Sequence, residues 1–317
     1  MLTKARMSIV LATDSFATIR PVIRCLRKQT RTQDLEVVLV TPDPEAMREA
    51  LRDEDCFAAI SIVEDAVENL AAARAAGVLG SSAPIIFIGE THSFPAPDMA
   101  ELILEAFKGP EWACVVPSVY NANPRGVFSW SGCILDYGQW AAGMPSGQIE
   151  IAPVYNAAFR REALLALGDR LPSALGQSDE LALAFVANGR RVLFEPCGRI
   201  GHANMTGLRD WLWNRFLGGN LIATNRSRRW SAAKRLVYIA GSFLIPVVLL
   251  QRLLPGIRRT RQSQRLPPGT LLAIVLGLVL RAGGEALGYA GLLSDYSARG
   301  MHSCELHKLK YARFVSV

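Results

Sequence analysis

The stretch that decides the reading of this chain is PIIFIGETHSFP, Pro84–Pro95. Four apolar residues, Ile85–Ile88, close on Gly89 and run into a carboxylate, a hydroxyl and an imidazole: Glu90, Thr91 and His92. A short apolar run stopped by glycine reads as a buried strand. Polar groups dropped at the carboxyl end of such a strand mark a candidate site in an α/β sheet.

The flanking sequence repeats this arrangement. MSIVLATD (7–14), LEVVLVTP (35–42) and ISIVED (60–65) read as further strands. SFATIRPVIRCLRKQT (15–30), DPEAMREALRDED (43–55) and AVENLAAARAAGVLGSS (66–82) carry helical patterns between them. Strands alternating with helices at short intervals predict an α/β, Rossmann-like, mostly parallel sheet with helices on both faces. Thr13, Asp14, Asp43 and the Glu90–His92 group then share the ligand-binding edge. Downstream, PDMAELILEAFKG (97–109) predicts an amphipathic helix, and WACVVPSVYNANP (112–124) a strand entering a polar loop. The aromatic-rich SWSGCILDYGQW (129–140) is expected near a surface groove, and VYNAAFRREALLALG (154–168) to start a helix near Ala157. SDELALAFVANGRRVLFEPCGRIGH (178–202) reads as a helix, a glycine stop and a strand ending at His202.

Composition limits the class. The chain has 317 residues, enough for one large α/β domain plus an appendage. Its six cysteines are scattered without CxxC spacing, which points to a reduced chain without a zinc site or disulfide framework. The start reads as a first strand, not a signal peptide, because Asp14 and Arg20 follow the apolar run closely. Residues 199–265 hold thirteen Lys and Arg but one acid, Asp210, whereas the remainder holds 22 basic and 27 acidic residues. A basic block can meet nucleic acid or an anionic membrane. The apolar runs beside it favour the membrane and exclude nucleic acid as the expected partner.

Those runs are Leu236–Leu250, broken by Pro246, and Thr270–Leu293, which carries Arg281 and Glu285 at i,i+4 spacing. A spanning helix needs about 20 apolar residues. If the first run crossed from a cytosolic front domain, the arginines of 252–265 would lie outside, against the positive-inside tendency. Segments lying in or re-entering the cytosolic leaflet fit better. Core helices of a soluble bundle are the alternative reading.

The order of these features resembles the family 2 glycosyltransferases of the GT-A fold. The opening strand and helix with Leu26 and Gln29, Arg74 and Gly77 in the Ala-rich helix, YNAAFRREALLALG, and NGRRVLFEPCGRIGH all stand in the family's sequence order. The resemblance covers about residues 7–226 and implies a GT-A domain over 1–226, followed by a basic, apolar helical membrane-associated region over 227–317. Glu90-Thr91-His92 occupies the place of the family's Asp-X-Asp metal motif, similar to a subset with Glu-Asp-His before an SFP segment. The second strand keeps only Asp43, and the acids of GQSDEL are displaced by about a residue.

The resemblance implies transfer of a sugar from a nucleoside-diphosphate donor of UDP or GDP type to a lipid-linked or other amphiphilic acceptor. The implied reaction is inverting and non-processive, at the cytosolic face of a membrane. A divalent cation, Mn²⁺ or Mg²⁺, is implied at Glu90, His92 and His202; imidazole favours Mn²⁺. Asp179, with Glu180 as fallback, is implied as the base, starting a helix that Ser178 would cap. Thr13, Asp14, Asp43, Arg74 and Glu90 are implied around the donor. The processive family's Gln-X-X-Arg-Trp motif is absent, although Arg215 or Arg226 offers charge to a leaving diphosphate. A degenerate nucleotide-binding or scaffolding protein is the competing reading. An unrelated nucleotide-dependent enzyme lacks support, since no GxGxxG or phosphate-loop pattern occurs.

Overall fold

Met7–Ala12 (β1) and Leu35–Thr41 (β2) are buried along their whole length. Near-continuous Val, Ile and Leu runs behave this way when both faces of a parallel sheet are covered. The computed structural model describes residues 4–109, 112–176 and 178–313, without the side chains of Ser178 and Asp179. Between and after these strands come α1 (Phe16–Leu26), α2 (Pro44–Ala50), β3 (Ala59–Glu64), α3 (Leu70–Gly80), β4 (Ile85–Ile88), β5 (Ser93–Pro95), α4 (Met99–Ala106) and β6 (Trp112–Asn121). Next are α5 (Gly126–Tyr137), β7 (Gly147–Ile149), β8 (Ala157–Arg160), α6 (Arg161–Leu165), α7 (Leu171–Ala174), α8 (Ser178–Ala187) and β9 (Arg191–His202). The chain finishes with α9 (Leu208–Ser227), α10 (Ala232–Gly241), α11 (Ile245–Ser263), α12 (Thr270–Tyr289), α13 (Ser294–Leu306) and α14 (Lys308–Ala312).

The sheet runs β3-β2-β1-β4-β8-β6-β9-β5, with β7 paired to β9. β3, β2, β1 and β4 are mutually parallel, so residues following β1, β2 and β4 lie on one edge. β8 is antiparallel to both β4 and β6. This corrects the helix expected from Ala157: Ala157–Phe159 are fully buried between two strands, and helix α6 begins only at Arg161.

Two units divide the chain, residues 1–119 with 145–201 and residues 120–144 with 202–317. In the first, α1 buries Ile19, Val22, Ile23 and Leu26 on one stripe, and the Ser15 side chain accepts from the Thr18 amide at its N-terminus. Helix α3 comes so near the sheet that a Cβ at Gly77 would meet Val10 and stand 2.9 Å from a Val40 methyl. Glu36 is buried on β2 because it accepts from the hydroxyls of Ser8, Ser61 and Ser82 and from the Ser82 amide.

The second unit is helical. The aromatic-rich 129–140 stretch belongs to it as the buried helix α5 and not as a groove wall: Trp130, Cys133, Ile134 and Tyr137 are all covered. Helix α12 packs lengthwise on α9. Glycines permit this contact: a Cβ at Gly284 would stand 2.9 Å from the Asn220 amide nitrogen, and one at Gly288 2.8 Å from the Ala223 methyl.

Candidate functional site

Gly89 follows β4, and a Cβ there would stand 2.6 Å from a Leu11 methyl. The chain then turns and places Glu90, Thr91 and His92 in the interior, each no more than 6% exposed. A carboxylate so deeply buried needs partners. Glu90 Oε2 accepts from Ser93 Oγ at 2.8 Å and from Asn156 Nδ2 at 2.6 Å. Those two contacts orient the group, and Oε1 faces His92 Nε2 at 3.6 Å. Asn156 is fully buried with φ of +57°, a left-handed conformation that Asn tolerates, and its own amide donates to Ile88 O at 2.6 Å. It therefore ties the start of β8 to the end of β4.

His202 is the last residue of β9. One ligand-type atom from each of Glu90, His92 and His202 lies within 4.8 Å of the others, and all three residues are buried. The state of the His202 ring follows from a chain of hydrogen bonds that begins at the backbone. The Asn123 amide donates to Asn121 Oδ1 at 3.2 Å, which fixes that atom as an acceptor. The group of Asn204 facing it at 3.0 Å must then be Nδ2, which also donates to His202 O at 2.9 Å. Asn204 Oδ1 consequently faces His202 Nδ1 at 2.9 Å, so Nδ1 carries the proton and Nε2 the lone pair. Burial first, and the nearby Lys308 charge second, push the imidazole from 6.5 down to about 3, so the ring is neutral at ordinary pH.

A neutral imidazole with its outer nitrogen held by an amide oxygen is how a metal-binding histidine is prepared. Two imidazoles and one carboxylate fit a divalent transition-type cation such as Mn²⁺ and leave coordination positions for other oxygens. The donor set fits Mg²⁺ less well, since that ion prefers oxygen ligands.

The other residues expected at the site each have contacts of their own. Thr13 and Asp14 follow β1; the Thr13 amide donates to Val40 O at 2.9 Å, and its hydroxyl to Ser15 O at 2.9 Å. Asp43 caps α2, accepting from the Ala46 amide at 3.0 Å. Arg74 is buried on α3 with its guanidinium 4.8 Å above the Tyr155 ring centre. Glu180 accepts from Ser173 Oγ at 2.7 Å. Asp179 falls within α8, and its side chain lies outside the described residues.

The sequence reading missed Ser93, Asn121, Asn156 and Asn204 as partners of the cluster. The available signal was positional: Ser93 and Asn204 stand one and two residues beyond the histidines.

No protein-family model and no curated protein sequence matches the chain. Among solved structures, the mannosyltransferase PcManGT from Pyrobaculum calidifontis, in complex with GDP-Man and Mn²⁺, is similar over 93% of this chain and 88% of its own at 19% identity, with a TM-score of 0.52. S. aureus TarS 1-349 in complex with UDP matches over 90% of this chain and 92% of its own, at 13% identity and a TM-score of 0.47. GalNAc-T7 with UDP, GalNAc and Mn²⁺ matches over 62% of this chain at 17% identity and a TM-score of 0.49, and the match spans only 43% of that enzyme. The likeness to the mannosyltransferase concerns architecture: this chain has a GT-A fold, with an apolar helical region at its C-terminal end.

Proposed function

We propose that the protein is a glycosyltransferase of family 2 type. It moves a sugar from a UDP- or GDP-linked donor to a lipid-linked or other amphiphilic acceptor, with inversion and without processivity, at the cytosolic face of a membrane. The observation that carries this reading is the buried Glu90–His92–His202 set at strand ends of a GT-A sheet. The proposal assigns transfer to residues 1–226 and membrane association to 227–317. The membrane assignment is supported by two helical stretches, Ala232–Ser263 and Thr270–Tyr289, whose length and mean hydropathy of 1.8 match those of membrane-associated helices.

Glu90, His92 and His202 would hold a divalent cation, which would supply positive charge to the diphosphate. Ser93 and Asn156 orient the Glu90 carboxylate, and Asn204 keeps the His202 Nε2 lone pair available. Thr13, Asp14, Asp43 and Arg74 hold the nucleotide. Asp179, or Glu180 in its place, takes the acceptor hydroxyl proton as that oxygen bonds to the anomeric carbon, while the bond from that carbon to the diphosphate oxygen breaks and the nucleoside diphosphate leaves with the electron pair.

A panel of UDP- and GDP-sugars with Mn²⁺ or Mg²⁺, offered to the purified chain with lipid-linked acceptors, tests the proposal. Transfer or slow donor hydrolysis is expected. Nucleotide binding by calorimetry without turnover under every condition would instead indicate a degenerate, scaffolding role.

A further inference from the structure

The helical unit carries an apolar surface that sugar transfer does not need. Leu236 and Val237 on α10, Phe243 in the 3₁₀ turn Ser242–Leu244, Val247 on α11, and Leu272 and Val279 on α12 are all exposed, Phe243 at 73% and Leu272 at 74%. Helices α10 and α11 and the turn between them each pack on α12, which brings these positions onto neighbouring elements. The inward positions Leu253 and Ile257 of α11 close on Ile274 and Leu278 of α12 and on Ile134 of α5. The outward positions are therefore not a core awaiting its own chain. Apolar patches of this kind rarely face water unless they meet a partner.

Charge identifies the partner. No acidic residue occurs between Asp210 and Glu285. Arg228, Arg229 and Lys234 are exposed just before the apolar stretch, and Arg252, Arg258, Arg261 and Arg265 are exposed just after it. Trp230 stacks on Tyr289 at 5.7 Å and lies 4.4 Å from Tyr238, with the Lys234 ammonium 4.2 Å over its ring. Aromatic rings beside cations belong at the headgroup level of a bilayer. Clustered arginines favour anionic lipids.

The same features argue against crossing. Between Arg235 and Arg252 the chain is interrupted by the 3₁₀ turn and Pro246. As straight helix it would reach about 24 Å, short of the ~30 Å hydrocarbon core. Both flanks are basic, so both seek the same face. On α12 the exposed large apolar positions stop at Val279, a band of about 12 Å. Beyond it, Glu285 is buried and paired with Arg281 at 2.8 Å and with Arg226 of α9 at 3.8 Å. Helix α9 also carries Arg215, held by Asp136 at 2.6 Å. Threading α12 through a bilayer would drag these charges with it, at high cost.

We infer that the helical unit is monotopic: it sinks this apolar face into one anionic phospholipid leaflet, and neither α10–α11 nor α12 crosses. The inference rests on the proposed membrane association and is independent of the proposed chemistry. Its test uses the full chain with the exposed Cys197 and the partly exposed Cys25, Cys56 and Cys304 replaced by Ser. Ser231→Cys and Ser263→Cys are labelled with a membrane-impermeant maleimide in spheroplasts and in inverted vesicles of an expressing bacterium. Both sites are expected to label in inverted vesicles only. Labelling from opposite faces would overturn the one-leaflet inference while leaving membrane association intact.

A second measurement separates failure of the membrane reading itself. A fluorophore on Phe243→Cys should be quenched by bromolipids in phosphatidylglycerol vesicles, and Phe243→Asp or Leu272→Asp should weaken vesicle binding about tenfold each. Absence of vesicle binding, or burial of the fluorophore in a lipid-free dimer, would overturn both readings.

Discussion

Asn204 Oδ1 accepts from His202 Nδ1 at 2.9 Å, and the orientation of that amide is set by the Asn123 backbone N–H acting through Asn121 Oδ1. A backbone donor thus decides which nitrogen of a buried histidine carries its lone pair. Asn204→Leu removes the acceptor and should weaken Mn²⁺ binding to the nucleotide-free protein by about 10–100-fold. Asn204→Asp keeps an acceptor and should recover most of the loss. Electron paramagnetic resonance of free Mn²⁺ reads both, without recourse to activity.

Asn156 makes a comparable demand on Glu90. Asn156→Ala loses the 2.6 Å bond to Oε2 and places a Cβ residue at a φ of +57°. A loss of about 2–4 kcal/mol in chemical denaturation is expected. Asn156→Gly relieves the backbone and should be the milder of the two in stability, with the same lost grip on Glu90. Equal stabilities would show that the left-handed backbone is unimportant here.

Two buried groups set the response to acid, in different pH windows. His202 falls from 6.5 in the unfolded chain to about 3 through burial and then Lys308. Between these values the unfolded state binds a proton that the folded state refuses, so stability falls as the pH drops through that range. Burial raises the Glu36 carboxyl, but hydrogen bonds from Ser8, Ser82 and Ser61 outweigh it and leave the group below its ordinary 4.5. Its contribution is complete above 4.5 and is lost below it. Melting of chelator-treated protein should therefore lose its slope between pH 6.5 and 4.5 in His202→Gln, while Glu36→Gln retains that slope and flattens the more acidic limb. An unchanged upper slope in His202→Gln would contradict the assignment.

Close backbone approach makes two glycines sensitive. Gly77→Ala forces a methyl into Val10 and Val40 and should cost about 1–3 kcal/mol. Gly284→Leu meets main-chain atoms of α9, which cannot yield as a side chain can, and should cost more. Circular dichroism melts distinguish the two, and a larger loss at Gly77 would put the tighter packing on the sheet.

The parallel half of the sheet was legible in the sequence because its strands are rich in Val, Ile and Leu, interrupted only by single polar residues such as Ser8, Glu36 and Ser61. The Glu90–His92 end was legible for the same reason: the apolar run stops abruptly at Gly89. Strand β8 was hidden, since Ala157-Ala158-Phe159 has no β-branched residue and only its neighbours β4 and β6 make it a strand. Helix α5 was misread because its aromatic rings suggested a surface, whereas they face the interior of the second unit. The asparagines that orient Glu90 and His202 were invisible as partners, because their contacts join residues as distant as Asn121 and Asn204. The Arg281–Glu285 pairing was readable from its spacing, but the third member, Arg226, comes from another helix.

The central claim is that the buried Glu90–His92–His202 set serves transfer from a nucleotide sugar. The most direct measurement is release of nucleoside diphosphate from a panel of UDP- and GDP-sugars with Mn²⁺, for the full chain and for Glu90→Gln. The account predicts release with at least one donor, reduced by two orders of magnitude or more, about 3 kcal/mol, in Glu90→Gln of unchanged fold. No release with any donor, or equal release by the variant, would contradict it.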